Sequence, residues 1–294
     1  MSGAAARCDT AARRDLLVAG TMRGVSGEER TIAASGAPVT RAGIAADLRG
    51  LGVRPGSVLL VHSSLSALGW VVGSAPTVVA ALLDALGPEG TLVVPTHTGG
   101  NSDPAGWVAP PVPEPWWAVI RAHMPAYDPA TTPTYGLGVI PELARTWPGA
   151  LRSDHPHASC AAIGPAAAEI TAGHALESAF GERSPLARIE ALDGDVLLLG
   201  AGHGSNSSLH LAEHRVPDPP RETSAAAVMT PEGRRWVEWE DVVADEGDFG
   251  ELGAAFDATG AVRIGTVGKA DARLMRQRDL VAYGVEWMVG HRSE

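Results

Sequence analysis

The sequence predicts an α/β domain in which helices flank a central mixed or mostly parallel sheet. Three observations carry this expectation. A unit of helix, glycine turn, apolar strand and polar tip occurs twice in succession, over residues 40–64 and 76–100. A third apolar run, DVLLL at Asp195–Leu199, again ends in a polar, glycine-rich segment, Gly200–Asn206. Short continuous apolar runs between helices are typical of strands buried on both faces, and such strands belong to helix-covered parallel sheets.

In chain order, the first 38 residues are rich in Ala, Gly, Ser and Thr and read as an extension. Its two helix-compatible stretches, Ala11–Val18 and Gly27–Ile32, lack a convincing apolar face, so activity is expected to survive loss of residues 1–30. Thr40 suits the N-cap of a helix whose stripe is Ile44, Leu48 and Leu51, and Gly52 with Pro55-Gly56 ends it. Val58–Val61 is the first strand and leads into His62-Ser63-Ser64, at the position where open α/β sheets expose ligand loops. Pro76–Leu86 is the next helix, Gly87–Gly90 its turn, and Thr91–Val94 the second strand, running into Pro95–Gly100.

Asn101–Pro133 contains WVAPPVPEPWW and reads as a long structured loop with a short helix near Trp116–His123, because proline removes backbone donors and interrupts regular elements. Further helices are expected at Gly138–Trp147, Pro165–Ala172, Pro185–Leu192 and Ser208–His214, and a hairpin at Val228–Val243 around Pro231-Glu232-Gly233. The final stretch combines a strand with a helix placed at Ala270–Leu280. Together these elements make one domain over residues 39–294, with room for a C-terminal subdomain at about 221–294.

Charge and composition narrow the function classes. A formal charge of −11, from 34 acids against 23 basic residues, leaves nonspecific nucleic-acid binding without electrostatic support but suits a cationic ligand. Residues 221–260 concentrate ten acids against three arginines, which fits either a solvated face or a cation-attracting cleft wall. Cys8 and Cys160 are the only cysteines and are expected to be free thiols in a reducing compartment. No apolar segment approaches the roughly 20 residues that cross a bilayer, and the start lacks a signal-type apolar core. A cytoplasmic protein without membrane or nucleic-acid partners is the expectation.

Generic motifs decide little. His155, His157, His203 and His210 do not form a standard zinc pattern, so no metal is expected. Gly200-Ala201-Gly202-His203-Gly204 comes directly after a strand but lacks the third spaced glycine of a dinucleotide fingerprint. The GxSxG elbow of hydrolases is absent, although Ser63 and Ser64 beside His62 keep a serine hydrolase open.

Six stretches carry a more specific signal: HSSLSALGWVVGS at His62–Ser74, LGPEGTLVVPTHTG at Leu86–Gly99, the proline- and tryptophan-rich region ending at Glu142, LRSDHPHAS at Leu151–Ser159, SPLARI at Ser184–Ile189, and DGDVLLLGAGHGSNSSLHLAEHR at Asp193–Arg215. In this order they resemble the aminoglycoside 3-N-acetyltransferase family, over roughly residues 38–290. The resemblance implies that family's own antibiotic N-acetyltransferase-type α/β fold, rather than the small N-acetyltransferase fold. It also implies transfer of acetyl from acetyl-CoA to the 3-amino group of a 2-deoxystreptamine aminoglycoside. A biosynthetic or other small-molecule amine as acceptor is the alternative, followed by a serine hydrolase or a binding protein without turnover. Monomer and homodimer are both compatible with the sequence.

The same resemblance distributes roles. The catalytic histidine falls on His210, with Glu213 as its supporting acid; an imidazole accepts the amine proton near neutral pH while a carboxylate orients it. Thr96 matches a position that steadies the thioester oxyanion. His62, Ser63, Ser64, Leu65, Gly69, Val71, Val72 and Gly73 match the cosubstrate loop, with Arg215 a further phosphate contact. Asp154, His155 and Glu213, together with acids from residues 238–248, are implied to meet the ammonium groups of the acceptor. Two positions depart from the family pattern: Ser74 stands where a second glycine is common, and His214 where an aromatic is common.

Overall fold

The computed structural model describes residues 27–292, so Cys8 and the Ala11–Val18 stretch lie outside the described residues. Helix α1 (Gly27–Ser35) precedes α2 (Arg41–Leu51), where the Thr40 side chain accepts the Gly43 N–H and Gly52 ends the helix at φ 111°. Strand β1 (Val58–Ser63), α3 (Ala75–Leu86) and β2 (Thr91–Pro95) come next. The proline-rich segment contains α4 (Trp117–His123) and leads to α5 (Val139–Arg145), β3 (Leu151–Arg152) and β4 (Cys160–Ile163). The chain continues through α6 (Ala167–Thr171), α7 (Pro185–Ala191), β5 (Asp195–Leu199) and α8 (Ser208–Glu213). The hairpin β6 (Arg221–Thr230) and β7 (Gly233–Val242), α9 (Phe249–Asp257), β8 (Arg263–Val267), β9 (Ala270–Arg276) and α10 (Gln277–His291) complete it. Among the described residues no helix is long and apolar enough to cross a membrane.

The central sheet has the order β3-β4-β2-β1-β5-β9-β8. Its middle is parallel, with β1 paired to both β2 and β5, while every pair outside that trio is antiparallel. The sheet is thus mixed around a parallel centre, and strand alternation sorts its side chains into two cores. Leu59, Val61, Leu92, Val94, Leu197 and Leu199 face α2, α3 and α5. Val58, Leu60, Val93, Val196 and Leu198 face the layer formed by α6 to α10. Burial on both faces explains why these strands are apolar throughout rather than alternating with polar residues.

The helix placed by sequence at Ala270–Leu280 is corrected: Ala270–Arg276 is a strand, and the helix starts at Gln277. Ala270, Ala272 and Leu274 repeat every second residue into the first core, and β9 pairs antiparallel with β5 from Leu199↔Ala272 to Asp195↔Arg276. A partner strand needing its edge covered outweighs the helix propensity of ADARLM. The hairpin is also longer than expected, pairing from Arg221↔Val242 to the turn, and the sequence gives no sign of α9 between it and β8. The stretch after residue 220 therefore divides: β6 and β7 form a separate two-stranded sheet, whereas β8 and β9 complete the central one.

The hairpin rests on the proline-rich segment and on a nest of histidines. Tyr127 N–H donates to Ala227 O at 2.8 Å, and Trp239 packs 5.2 Å from the His157 ring and 6.0 Å from that of His155. His155 has no exposed surface; its Nδ1 accepts from the backbone N–H of His157 and Ala158, and its Nε2 lies 3.2 Å from Leu176 O. His174 bridges Ser153 Oγ and Ala179 O, both at 2.9 Å. Burial depresses both imidazoles, His174 to about 4 and His155 well below its usual value. An unfolded chain binds these protons near pH 6.5 while the folded chain refuses them, so stability must fall as pH drops from about 6.5 towards 4. The urea midpoint is expected to be lower at pH 5 than at pH 7.5, with a smaller difference in His174→Gln; equal midpoints for the native chain would mean that the folded chain takes up protons over this range as readily as the unfolded one.

Candidate active site

Parallel pairing places the C-terminal ends of β2, β1 and β5 along one sheet edge, and the site is built from the loops leaving those three ends. Beyond β1 lie His62 to Ser64 and a single 3-10 turn, Leu65–Leu68. Beyond β2 lies His97, and beyond β5 the glycine-rich loop with a 3-10 turn at His203–Ser205, whose end launches α8. Two adjoining cavities lie over this edge, about 880 and 680 Å³, and they share Ser63, Ser64, Gly136 and Leu137 as lining, which makes them two arms of one cleft.

The smaller arm is lined by His210, which is paired with a buried carboxylate. His210 Nδ1 lies 2.6 Å from Glu213 Oε2, one helical turn away on α8, an i,i+3 pair held on one face. Glu213 is 2% exposed, and its other oxygen accepts from Arg292 Nη1 at 2.7 Å and from the Asp245 N–H at 3.2 Å. Burying a carboxylate demands such partners. Phe180 stacks on the His210 ring at 4.4 Å, and Phe249 closes the other approach at 4.8 Å. With Nδ1 committed to the carboxylate, Nε2 is the nitrogen left to exchange a proton with a ligand.

His62 and His97 line the same arm, and neither Nε2 has a hydrogen-bond partner; Ser63 Oγ beside them is likewise buried without one. Burial pushes both imidazoles down to about 3, with a smaller contribution from the His210 charge, so both are neutral at ordinary pH. Strand alternation explains the placement: His62 continues the face of Leu60, and His97 that of Val93, towards α8. The family motif assigns no role to His97, although its place two residues beyond a buried parallel strand is visible in the sequence.

Thr96 points elsewhere. It is fully buried, and its hydroxyl lies 3.0 Å from Ser159 Oγ and 3.0 Å from Arg152 Nε, on the side of β3 and β4. The larger arm is lined by Ser63, Ser64, Leu65, Gly69, Val71 and Gly73 of the expected cosubstrate loop, while Val72 is 44% exposed and spends its N–H on Val39 O. Ser74 also lines it and takes φ 61°, a left-handed value that a glycine adopts without strain, in keeping with the family's preference there. Helix α1 closes one wall through Gly27, Glu28 and Thr31, and Glu28 accepts from Trp70 Nε1 at 3.2 Å.

The remaining expected residues lie off the cleft. Asp154 borders a separate cavity with Asp128 and Arg234, its carboxyl raised by partial burial and then by Asp128. His155 is enclosed in the histidine nest, and Arg215 is held by Glu182 and Glu190, both at 2.6 Å. His214 is wedged between Gly181 and Asp241. Of the acids at 238–248, Glu246 lines the smaller arm. Among the described residues no group of three or more His, Cys, Asp or Glu could hold a metal.

A family model, aminoglycoside 3-N-acetyltransferase, matches residues 60–289. The SPbeta prophage-derived aminoglycoside N(3')-acetyltransferase-like protein YokD of Bacillus subtilis is 41% identical over 87% of this chain and 95% of its own. Its crystal structure superposes with a TM-score of 0.89, covering 90% of this chain and 99% of that one. Aminoglycoside N(3)-acetyltransferase VII of Streptomyces paromomycinus is 38% identical over 86% of this chain and 93% of its own. A structure described as AAC-IIIb binary with CoASH gives a TM-score of 0.78 at 34% identity, over 86% of this chain and 97% of that one. The dyad on α8, the two-armed cleft and these likenesses agree, and the chain belongs to the aminoglycoside 3-N-acetyltransferase family.

Proposed function

We propose that this chain transfers the acetyl group of acetyl-CoA directly to the 3-amino group of a 2-deoxystreptamine aminoglycoside, with His210 as general base. The observation that carries the reading is the His210–Glu213 pair, whose histidine lines the smaller arm of a cleft whose two arms share Ser63, Ser64, Gly136 and Leu137. Acetyl transfer to an amine needs two reactants at one base, and a two-armed cleft supplies an arm for each.

His210 Nε2 takes the proton that the amine sheds as the C–N bond forms, and Glu213 balances the resulting imidazolium. The same proton then passes to the departing thiolate as the C–S bond breaks, leaving His210 as it began. No acetyl-enzyme is required, because the base and both reactants meet in one complex. Thr96 assists through its bonds to Arg152 and Ser159, shaping the end of β2 rather than meeting the thioester. In this reading Glu246 is the carboxylate at the smaller arm that suits an ammonium group, and Asp154, beside a separate cavity, and the buried His155 are given no part in acceptor binding.

The larger arm fits a pantetheine and phosphate-bearing cosubstrate. Gly69, at φ 85°, admits no side chain, since a Cβ there would lie 2.9 Å from Lys269 Cγ and 3.1 Å from Ser35 Oγ. Among the described residues Glu28 is the arm's only ionisable lining, so a cation for the phosphates must reach in from outside. Lys269, the sole lysine of the chain, lays its stem across Gly69 from the β8–β9 turn and has no ion pair among the described residues. Helix α1 belongs to this cosubstrate arm although it precedes the 39–294 domain expected from sequence, and the rest of the lining of both arms lies within residues 62–246.

Three experiments test the reading. Acetyl-CoA consumption against a panel of aminoglycosides, with mass spectrometry of the product, is expected to place one acetyl on the 3-amine; consumption without an acetylated amine would replace the transferase by a thioesterase. Folded His210→Ala is expected to lose about 10²–10⁴-fold in kcat, and near-native turnover would remove His210 from the chemistry. Lys269→Met is expected to raise KM for acetyl-CoA several-fold with kcat nearly unchanged, and an unaltered KM would free the lysine from cosubstrate binding.

A further inference from the structure

We infer that His97, with His62 beside it, is the hydrogen-bond donor to the thioester carbonyl oxygen, so that the oxyanion of acetyl transfer is held by imidazole N–H groups. The inference rests on the acetyl-transfer reading above and assigns a role that sequence resemblance gave to Thr96. Its first support is a bonding deficit. Buried polar atoms in folded proteins are almost always paired, and each exception calls for a partner that arrives with a ligand or water. Here His97 Nε2 and His62 Nε2, on the side of the sheet that faces α8, are both buried and unpaired, as is Ser63 Oγ, and all three residues are part of the lining of the smaller arm.

The second support is position relative to the base. Phe180 touches both rings, stacked on His210 at 4.4 Å and edge-on to His97 at 5.5 Å, which fixes the two imidazoles with respect to one another around one apolar side chain. A carbonyl between them has the amine and its base on one side and a donor on the other, the arrangement an acyl transfer requires. Thr96 cannot serve, because its hydroxyl is engaged by Ser159 and Arg152 away from the cleft.

The third support is charge state. Burial holds His62 and His97 neutral, so each carries one N–H and no positive charge. A neutral imidazole with Nε2 protonated polarises a carbonyl without competing for the amine proton. It also adds no repulsion when His210 becomes an imidazolium nearby. The step balances: nitrogen bonds carbon, the π pair moves onto oxygen beneath the His97 N–H, His210 accepts the amine proton, and the pair returns as sulfur leaves and receives that proton.

The test separates this assignment from the reading beneath it. Infrared difference spectra of carbonyl-labelled acetyl-CoA bound to the full chain, without amine, are expected to show the thioester stretch at lower frequency than in solution. His97→Leu should return that band towards the solution value and lower kcat by about 10²–10³-fold, with KM for acetyl-CoA changed far less. His97→Gln, which keeps an N–H near the place of Nε2, should retain both the shifted band and most of the turnover, and it guards against a fold defect in the leucine variant. Bound acetyl-CoA with an unshifted carbonyl in the native chain, or equal turnover in native and His97→Leu chains, overturns the role of His97 alone. Failure of the native chain to bind acetyl-CoA overturns the cosubstrate reading and this inference with it.

Discussion

The parallel pairing of β1 with both β2 and β5 is the constraint on which the molecule depends. Antiparallel neighbours would send successive strand ends to opposite edges, and no single loop cluster could collect them. Because the three strands run together, His62, His97 and the loop before α8 emerge side by side, and the period of two decides which side chain each presents. A slip of one residue in β1 would turn His62 towards the α2–α3 layer and bring Ser63 to face α8. The apolar side chains on both faces make such a slip unfavourable, so the packing that stabilises the sheet also fixes the orientation of the chemistry.

The two faces of the sheet have different work. The layer of α2, α3 and α5 supports the larger arm, where glycines at positive φ and the Ser74 turn let backbone approach a ligand closely. The layer of α6 to α10 carries the dyad and its aromatic walls. Histidine appears on this side in two electrical roles. His210 is joined to a carboxylate at 2.6 Å, while His62 and His97 are kept uncharged by burial. Environment alone thus gives a single residue type different settings on one side of the sheet.

Much of this is legible in the sequence. The apolar runs at Val58–Val61, Thr91–Val94 and Asp195–Leu199 are strands because nothing but burial on both faces explains their composition, and Thr40 caps its helix through a local bond. His210 and Glu213 are legible as a helical i,i+3 pair. The antiparallel flanks are not: ADARLMR has helix-forming residues, and only the open edge of β5 makes it a strand. Which of Thr96 and His97 faces the cleft depends on the parity of β2 relative to its neighbours, which a motif does not encode. Asp154 and His155 sit in a segment that matches the family, yet His155 is enclosed where the hairpin packs on the histidine nest, and Asp154 is exposed beside a separate cavity.

The dyad has a third member far away in sequence. Arg292, which caps the last turn of α10 and also grips Asp248, reaches the Glu213 carboxylate at 2.7 Å. The carboxylate of the dyad is therefore tethered to a helix end, the part of a helix that most readily frays. Each opening of that turn would withdraw one of the partners that hold Glu213 beside His210, so the geometry of the pair depends on how tightly α10 is wound.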